Sequence, residues 1–276
     1  MVRAADRIAA GSFDEPITDA GNDEVGEVAR AFEHMRRRLS QLDRARREFI
    51  ANASHELRTP LFSLAGFLEL MDDPSLDEGT REEFLGQMRE QLARLTKLAT
   101  ELLDLSRLDA GRLAVVREPV ELSELAEELA GEFRGRAGDH AIELATEPVA
   151  AEADAEWVLQ IGRILVENAI RHTPEGTAVR VTARSDAIAA ALAVEDAGQG
   201  IEPAHAAHVF ERFYRAEGKH ASGSGLGLAI ARELAKLMSG SVSLESQPGR
   251  TVFTLRLPAA ARLDARSARE PEPVLR

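Results

Sequence analysis

Residues Phe49–Leu61 read FIANASHELRTPL, which places His55 beside Glu56 and sets Pro60 one helical turn beyond them. From Leu57 onward the apolar residues Leu57, Leu61, Leu64, Leu68 and Met71 step by four and three, the spacing of a helical seam. With Leu57 and Leu61 on that seam, His55 falls off it and faces solvent, and Thr59 stacks on the same face one turn on. Glu56 projects about 100° round the helix from His55. Pro60 has no N–H to offer the carbonyl of Glu56, so the helix is expected to bend just after the His-Glu pair. An exposed neutral imidazole is a competent nucleophile. A neighbouring carboxylate can hold its tautomer and take up a proton. A lone exposed histidine on a helix is ordinarily a solvated residue, so the reading of His55 depends on what surrounds it.

Beyond the first seam, Pro74 and Gly79 mark a turn, and a second helix returns with Leu85, Met88, Leu92, Leu95, Ala99 and Leu102. Two antiparallel helices bury too little by themselves. Two copies of the hairpin, joined as a four-helix bundle, would cover both stripes. Upstream, Gly11, Pro16 and Gly21 break the helical pattern. It restarts with Val25, Val28, Phe32, Met35, Leu39 and Leu42. Counting by sevens from Leu42 reaches Phe49, whereas counting back from Leu57 reaches Ile50. The two seams are one residue out of step, through either local repacking or a hinge with two packings.

Composition sets the outer bounds. The chain has 276 residues, a formal net charge of -13 and no cysteine. Length allows about two domains, and disulfide and thiolate chemistry are excluded. The acid excess argues against nucleic acid as a partner, which calls for a basic face. No apolar run approaches the ~20 residues of a membrane span, and MVRAADRIAAGSF does not read as a signal peptide.

From about residue 111 to Pro258 the texture becomes mixed. LAVV, AIEL, AVRVTAR, IAAALAVED, SVSLES and TVFTLRLP read as strands. LSELAEELAGEFRGRA, EWVLQIGRILVENAIRH and LGLAIARELAKLMSG read as helices. This order predicts an α/β sandwich with helices on one face of the sheet, placed after the all-α hairpin. The tail from Ala259 to Arg276 is polar and proline-bearing, and is expected to be disordered.

Four short motifs in this half carry chemistry. VENAIRHTPEG puts Asn168 late in a helix, where its carboxamide oxygen suits Mg²⁺ if phosphates supply most other ligands. Arg171 lies on the same face and could meet a phosphate. VEDAGQGI puts Asp196 at a strand end, able to accept from an adenine amino group, with Gly198 and Gly200 allowing close approach of backbone to a flat base. VFERFYRAEGKHAS, with Phe210, Arg212, Phe213 and Arg215, reads as the anchored base of a lid. SGSGLGLAIARE leads Gly223, Gly225 and Gly227 into a helix whose first amides suit phosphate oxygens. Taken singly, each motif is weak. A DxGxG can be a simple turn, and this GxGxG does not follow the strand that a dinucleotide fold needs.

Together, in this order, the motifs resemble those of a known family. SHELRTPL resembles the phospho-acceptor box of sensor histidine kinases. The later motifs resemble the N, G1, F and G2 boxes of the ATP-binding domain that these kinases share with gyrase, Hsp90 and MutL. RIAAGSF and the acidic DE before the second upstream helix resemble a HAMP domain, a relay module that usually follows a membrane helix; its first helix here looks cut short. The resemblance implies a HAMP-like segment at 1–42, a dimerisation and phosphotransfer domain at 43–110, an ATP-binding domain at 111–258 and the tail at 259–276. It implies that His55 accepts the γ-phosphoryl group of ATP, that Glu56 is the assisting base, and that Thr59 positions water for dephosphorylating a partner. It implies nucleotide contacts from Asn168, Arg171, His172, Asp196, Gly198, Gly200, Ile201, Arg212, Gly223, Gly225, Leu226, Gly227 and Thr251, with Asn168 on Mg²⁺. The implied partners are a second copy of the chain and the receiver domain of a response regulator. The implied location is the cytoplasmic portion of a membrane-anchored parent.

Some positions depart from the family pattern. Ile164 stands where a second asparagine is usual, Arg171 and His172 stand for a lysine and a tyrosine, and PGRTVF lacks one expected glycine. Two rival readings stay open. One is an ATPase of the gyrase or Hsp90 kind, which would need a helical glutamate to activate water; Glu167 adjoins Asn168 but would point elsewhere. The other is a catalytically inactive dimeric scaffold, against which His55, Asn168, Asp196 and the glycine loop all argue.

Overall fold

The computed structural model describes residues 2–17, 24–185, 189–215 and 223–260. It contains two compact units, Met1–Leu95 and Thr96–Arg276. Gly21, Asp23, Ile188, the end of the lid motif and the tail beyond Ala260 lie outside the described residues.

The first unit is helical. After α1 (Val2–Ala9), α2 (Glu24–Met71) is one helix of 48 residues that carries both apolar seams. The one-residue register step therefore does not interrupt the helix, and neither does Pro60, which is buried within it. Glu24 and Glu27 sit in the first turn, where carboxylates favour the positive end of the helix. The connector is tied to α2 by Glu33, which accepts from the Ile17 N–H at 2.9 Å and from Arg36 Nε at 2.8 Å. Arg36 first, then Ile17 and Arg37, hold the Glu33 carboxyl far below the usual carboxylate range. α3 (Glu78–Asp109) starts beyond a turn whose Asp77 accepts from the Thr80 N–H at 3.0 Å, an N-cap bond. Phe67 of α2 and Phe84 of α3 pack with ring centroids 5.5 Å apart.

Thr96 begins the second unit, so the last turns of α3 belong to it. The elements that follow are β1 (Glu118–Glu121), α4 (Leu122–Arg134), β2 (Ile142–Thr146), β3 (Ala150–Ala153), α5 (Ala155–His172), β4 (Val179–Ser185) and β5 (Ala189–Asp196). They continue with α6 (Pro203–Ala206), α7 (Gly227–Leu237), β6 (Ser241–Gln247) and β7 (Arg250–Pro258). The main sheet has the order β2-β4-β5-β7-β6, with β2–β4 parallel and its other pairs antiparallel. β1 and β3 form a small antiparallel pair. Helices α4, α5 and α7 pack on the main sheet, which gives the expected α/β architecture.

Local patterns explain these placements. β4 alternates buried Val179, Val181 and Ala183 with exposed Arg180, as a strand with one wet face does. β5 is buried continuously from Ala190 to Val194, as a central strand is. α5 buries Val158, Ile161, Leu165, Val166 and Ala169 along one stripe. Its Gly162 admits Leu129 of α4, whose Cδ2 lies 2.7 Å from where a Cβ would stand. Asp154 caps α5, accepting from the Glu156 N–H at 3.1 Å.

Two strand expectations are corrected. LAVV, Leu113–Val116, forms no strand, its Val116 N–H donating instead to the Asp154 carboxylate at 3.0 Å, and the strand comes later at Glu118–Glu121. Its partner β3 lies in VAAEA, an alanine-rich run without strand character of its own. The first two residues of the tail, expected to be disordered, are held in place: Ala259 bridges to Ala151, and the Ala260 N–H donates to Ala150 O at 3.0 Å.

Candidate functional site

Two groups of residues emerge, one in each unit. In the first, His55 and Thr59 are exposed on α2 and Glu56 is half-buried. Glu56 meets Arg94 of α3 at 3.5 Å, and Thr59 Oγ1 donates to the His55 carbonyl at 3.3 Å. The local order His-Glu-x-x-Thr therefore becomes an open imidazole, a carboxylate beside it and a hydroxyl one turn on.

In the second unit a cavity of about 650 Å³ lies at the carboxyl ends of α5 and β5. Asn168, Arg171 and His172 enter it from α5, and Asp196, Gly198, Gly200 and Ile201 from the loop after β5. Gly225 and Gly227 come from the start of α7, and Thr251 from β7. The sheet register sets Asp196 directly opposite Thr251. Asp196 is 6% exposed and its Oδ1 accepts from the Gly198 N–H at 2.9 Å. Burial pushes its carboxyl up, the Gly198 bond pulls it down, and Glu195 pushes it up again. Ser246 joins the floor together: its hydroxyl accepts from the Ile201 N–H at 2.8 Å and lies 3.1 Å from the Thr251 hydroxyl.

The glycines are dictated by close approach. Gly200 has φ +81, and a Cβ there would stand 2.6 Å from the Gln247 carbonyl. Gly225 has φ +71, and a Cβ would stand 2.7 Å from Phe213 C, while the Phe213 N–H donates to the Gly225 carbonyl at 2.9 Å. Phe213 itself holds φ 61, a left-handed conformation unusual for an aromatic residue. A Cβ on Gly223 would meet Arg171 Nη1 at 2.5 Å. Ile164, where a second asparagine was expected, lines the cavity and lies 3.2 Å from the Cβ position of Gly227. An apolar contact to the start of α7 has taken the place of a polar group.

Three expected site residues lie elsewhere. Leu226 is fully buried beside α7, and Gly223 borders Arg171 without lining the cavity. Arg212 is turned to Asp109 at the end of α3, with bonds of 2.8 and 2.5 Å. Of the lid anchors, Phe210 packs edge-on against the buried Phe253 at 6.2 Å, and Arg215 lines the cavity. The cavity also includes groups that motif reading missed: Lys97 and Glu101 from α3, His205 and Tyr214, whose ring nitrogen and hydroxyl are 2.6 Å apart, and Glu167, which was expected to point elsewhere but lines the cavity beside Asn168. The lid motif contained Tyr214. The α3 residues had no local signal, because only the folded chain brings them to the pocket.

This cavity fits an adenine nucleotide. It pairs a buried acceptor, Asp196, and a backbone-smooth floor with a glycine-flanked helix start and a half-buried carboxamide at Asn168. Among the described residues no cluster of three or more His, Cys, Asp or Glu could hold a metal alone. A metal here would therefore depend on phosphate oxygens.

Comparison with known proteins gives matches along most of the chain. Residues 1–41 match the model of the HAMP domain, 45–111 that of the His Kinase A (phospho-acceptor) domain, and 153–261 that of the histidine kinase-, DNA gyrase B- and HSP90-like ATPase. The signal transduction histidine-protein kinase BaeS of Escherichia coli is 32% identical over 268 residues, covering 94% of this chain and 56% of BaeS. The histidine-protein kinase/phosphatase MprB of Mycobacterium avium is 34% identical over 271 residues, covering 94% of this chain and 52% of MprB. The chain thus spans little more than half the length of these relatives. The solved histidine kinase ThkA, in complex with the response regulator TrrA, shares the fold with a TM-score of 0.65 at 24% identity, over 82% of this chain and 64% of that one.

Proposed function

Because the chain belongs to the family of two-component sensor histidine kinases, we propose that it phosphorylates itself on His55 with Mg·ATP and passes the phosphoryl group to an aspartate of a response-regulator receiver domain. The observation that carries this reading is an exposed His55 beside Glu56, in the same chain as a nucleotide-shaped cavity built on Asp196, Asn168 and the glycine loop. When bound, Mg·ATP supplies the γ-phosphoryl group, with the metal sharing the charge of the triphosphate. Asp196 accepts from the adenine amino group. Arg171 and the first amides of α7 take phosphate oxygens, and Asn168 offers its carboxamide oxygen to the metal. Glu56 takes up the proton that the His55 ring sheds on becoming phosphorylated. Thr59 orients water for removing phosphate from the regulator, a second activity supported by the kinase/phosphatase name of the relative MprB.

The domain boundaries proposed are 1–42, 43–110, 111–258 and 259–276. The dimer is proposed through 43–110, on apolar side chains such as Leu61, Leu68 and Leu92 that stand more than half exposed in one chain. No described helix is long and apolar enough to cross a membrane. The HAMP-like segment supports a membrane-anchored parent with this portion on the cytoplasmic side. Replacing His55→Gln tests the reading. Phosphate incorporation from labelled ATP should vanish while calorimetric nucleotide affinity stays unchanged; incorporation at the wild-type level would move the acceptor elsewhere.

A further inference from the structure

The cavity has an occupant of its own. Lys97 and Glu101, successive turns of α3, both line it. The Glu101 carboxylate accepts a hydrogen bond from the Ser224 hydroxyl. Ser224 lies between Gly223 and Gly225, and its Oγ also accepts from the Leu226 N–H at 3.1 Å, at the entry to α7. A carboxylate is thus held by the glycine loop at the kind of helix start that draws phosphate oxygens. Next to it, Lys97 Nζ is paired with Glu167, the neighbour of Asn168. Burial pushes the Glu101 carboxyl up; Ser224, Lys97 and Arg171 pull it down, and Glu167 pushes it up. The groups that make a carboxylate tolerable here are those a triphosphate would use. Two anions cannot share them without repulsion.

Resting on the nucleotide reading above, we propose that Glu101 is an internal competitor for the phosphate end of the site, so that docking of α3 residues 97–101 and binding of a nucleoside triphosphate exclude one another. Nucleotide must then displace this turn of α3 from the glycine loop. By reciprocity, whatever holds α3 in place weakens nucleotide binding by the same factor. Lys97 shares in the arrangement: its pair with Glu167 also fastens this turn of α3 to the pocket, and is broken when nucleotide displaces the turn.

The test is calorimetry on the whole chain with adenosine, AMP, ADP and the non-hydrolysable ATP analogue AMP-PNP, all with Mg²⁺, comparing wild type with Glu101→Gln. Glutamine keeps the shape and an acceptor for Ser224 but removes the charge. The variant should bind AMP-PNP about tenfold more tightly and adenosine equally, with the gain growing as phosphates are added. In wild type, amide hydrogen exchange over residues 97–101 should speed up when AMP-PNP is added. Equal affinities for AMP-PNP, or a gain of the same size for adenosine, would overturn the proposal, as would stronger protection of α3 by nucleotide. If wild type and variant both bind no nucleotide at all, the nucleotide site itself falls and the competitor falls with it.

Discussion

The helical unit and the sheet unit bury themselves to very different extents. Along the 48 residues of α2 only Gly26, Ala29 and Pro60 are buried, and Leu61, Phe62, Leu68 and Leu70 are each more than half exposed. In the sheet unit the apolar residues of β5, α5 and α7 are buried or half-buried within one chain, and none is exposed. The sheet unit supplies its own core, whereas the hairpin leaves its apolar seams exposed, and the proposed dimer would cover them. The chemistry divides along the same line. The proposed acceptor His55 stands in the open, and the proposed nucleotide contacts are gathered in a cavity.

The largest effect should come from charging the hairpin seam. Leu61→Asp combined with Leu68→Asp removes two side chains each worth about 1.5–3 kcal/mol on burial and sets carboxylates against their copies. Light scattering should show the wild type as a dimer at micromolar concentration and the variant as a monomer. A monomeric wild type would break the comparison outright, because the exposed seam would then have no partner.

A core truncation in the sheet unit should come next. Leu192 is 1% exposed in the central strand β5, so Leu192→Ala should cost about 2–5 kcal/mol in denaturant unfolding. The cost should be the same at low and high protein concentration. Truncating Leu61 to Ala should instead give a loss that grows with concentration, since it weakens association.

The third effect separates function from stability within the sheet unit. Asp196→Asn should weaken ATP binding about ten- to a hundredfold, the range of a lost charge-assisted hydrogen bond. Without nucleotide the effect on stability should have the opposite sign. The folded-state pKa of Asp196 is raised, chiefly by burial. A raised carboxyl binds its proton more tightly when folded, so its ionisation lowers stability as pH climbs from the unfolded value through the folded one. At neutral pH the uncharged variant should therefore melt slightly higher than wild type. A variant that loses both stability and nucleotide affinity would make Asp196 a structural cap for the Gly198 turn.

The smallest effect belongs to the hairpin turn. Asp73 and Asp77 are lowered by their bonds to Ser75 and Thr80. A lowered carboxyl gives stability that is present above its unfolded value and lost as pH falls through the folded one. Acidification below about pH 4 should therefore loosen the turn, seen as faster amide exchange at Ser75 and Thr80, before the sheet unit responds.

What could be read beforehand follows the range of the interactions. His55 and Asp196 stood out in the sequence because the groups around them are sequence neighbours, whereas the glycines showed only as motifs: the groups that Gly200 and Gly225 approach, Gln247 and Phe213, lie well along the chain. Gly198 bonding back to Asp196 is a contact over two residues. The helices α4, α5 and α7 and the strands β4, β5, β6 and β7 carried their own periodicity. β3 did not, since Ala150–Ala153 has little strand preference and is recruited by β1 across the fold. Arg212 was legible as a charged lid residue, but its partner Asp109 lies 103 residues away. Lys97 and Glu101 belong to none of the sequence motifs. Their place in the cavity comes from α3 continuing into the second unit, which no local pattern announces.

The most direct measurement is the position and chemistry of the phosphate after the chain is incubated with Mg·ATP at neutral pH. Peptide mass spectrometry under non-acidic conditions should place one phosphoryl group on His55, lost in acid and stable in base. Phosphate on a serine or threonine, or release of free phosphate with His55 unmodified throughout, would contradict the account and favour an ATPase built on the same cavity.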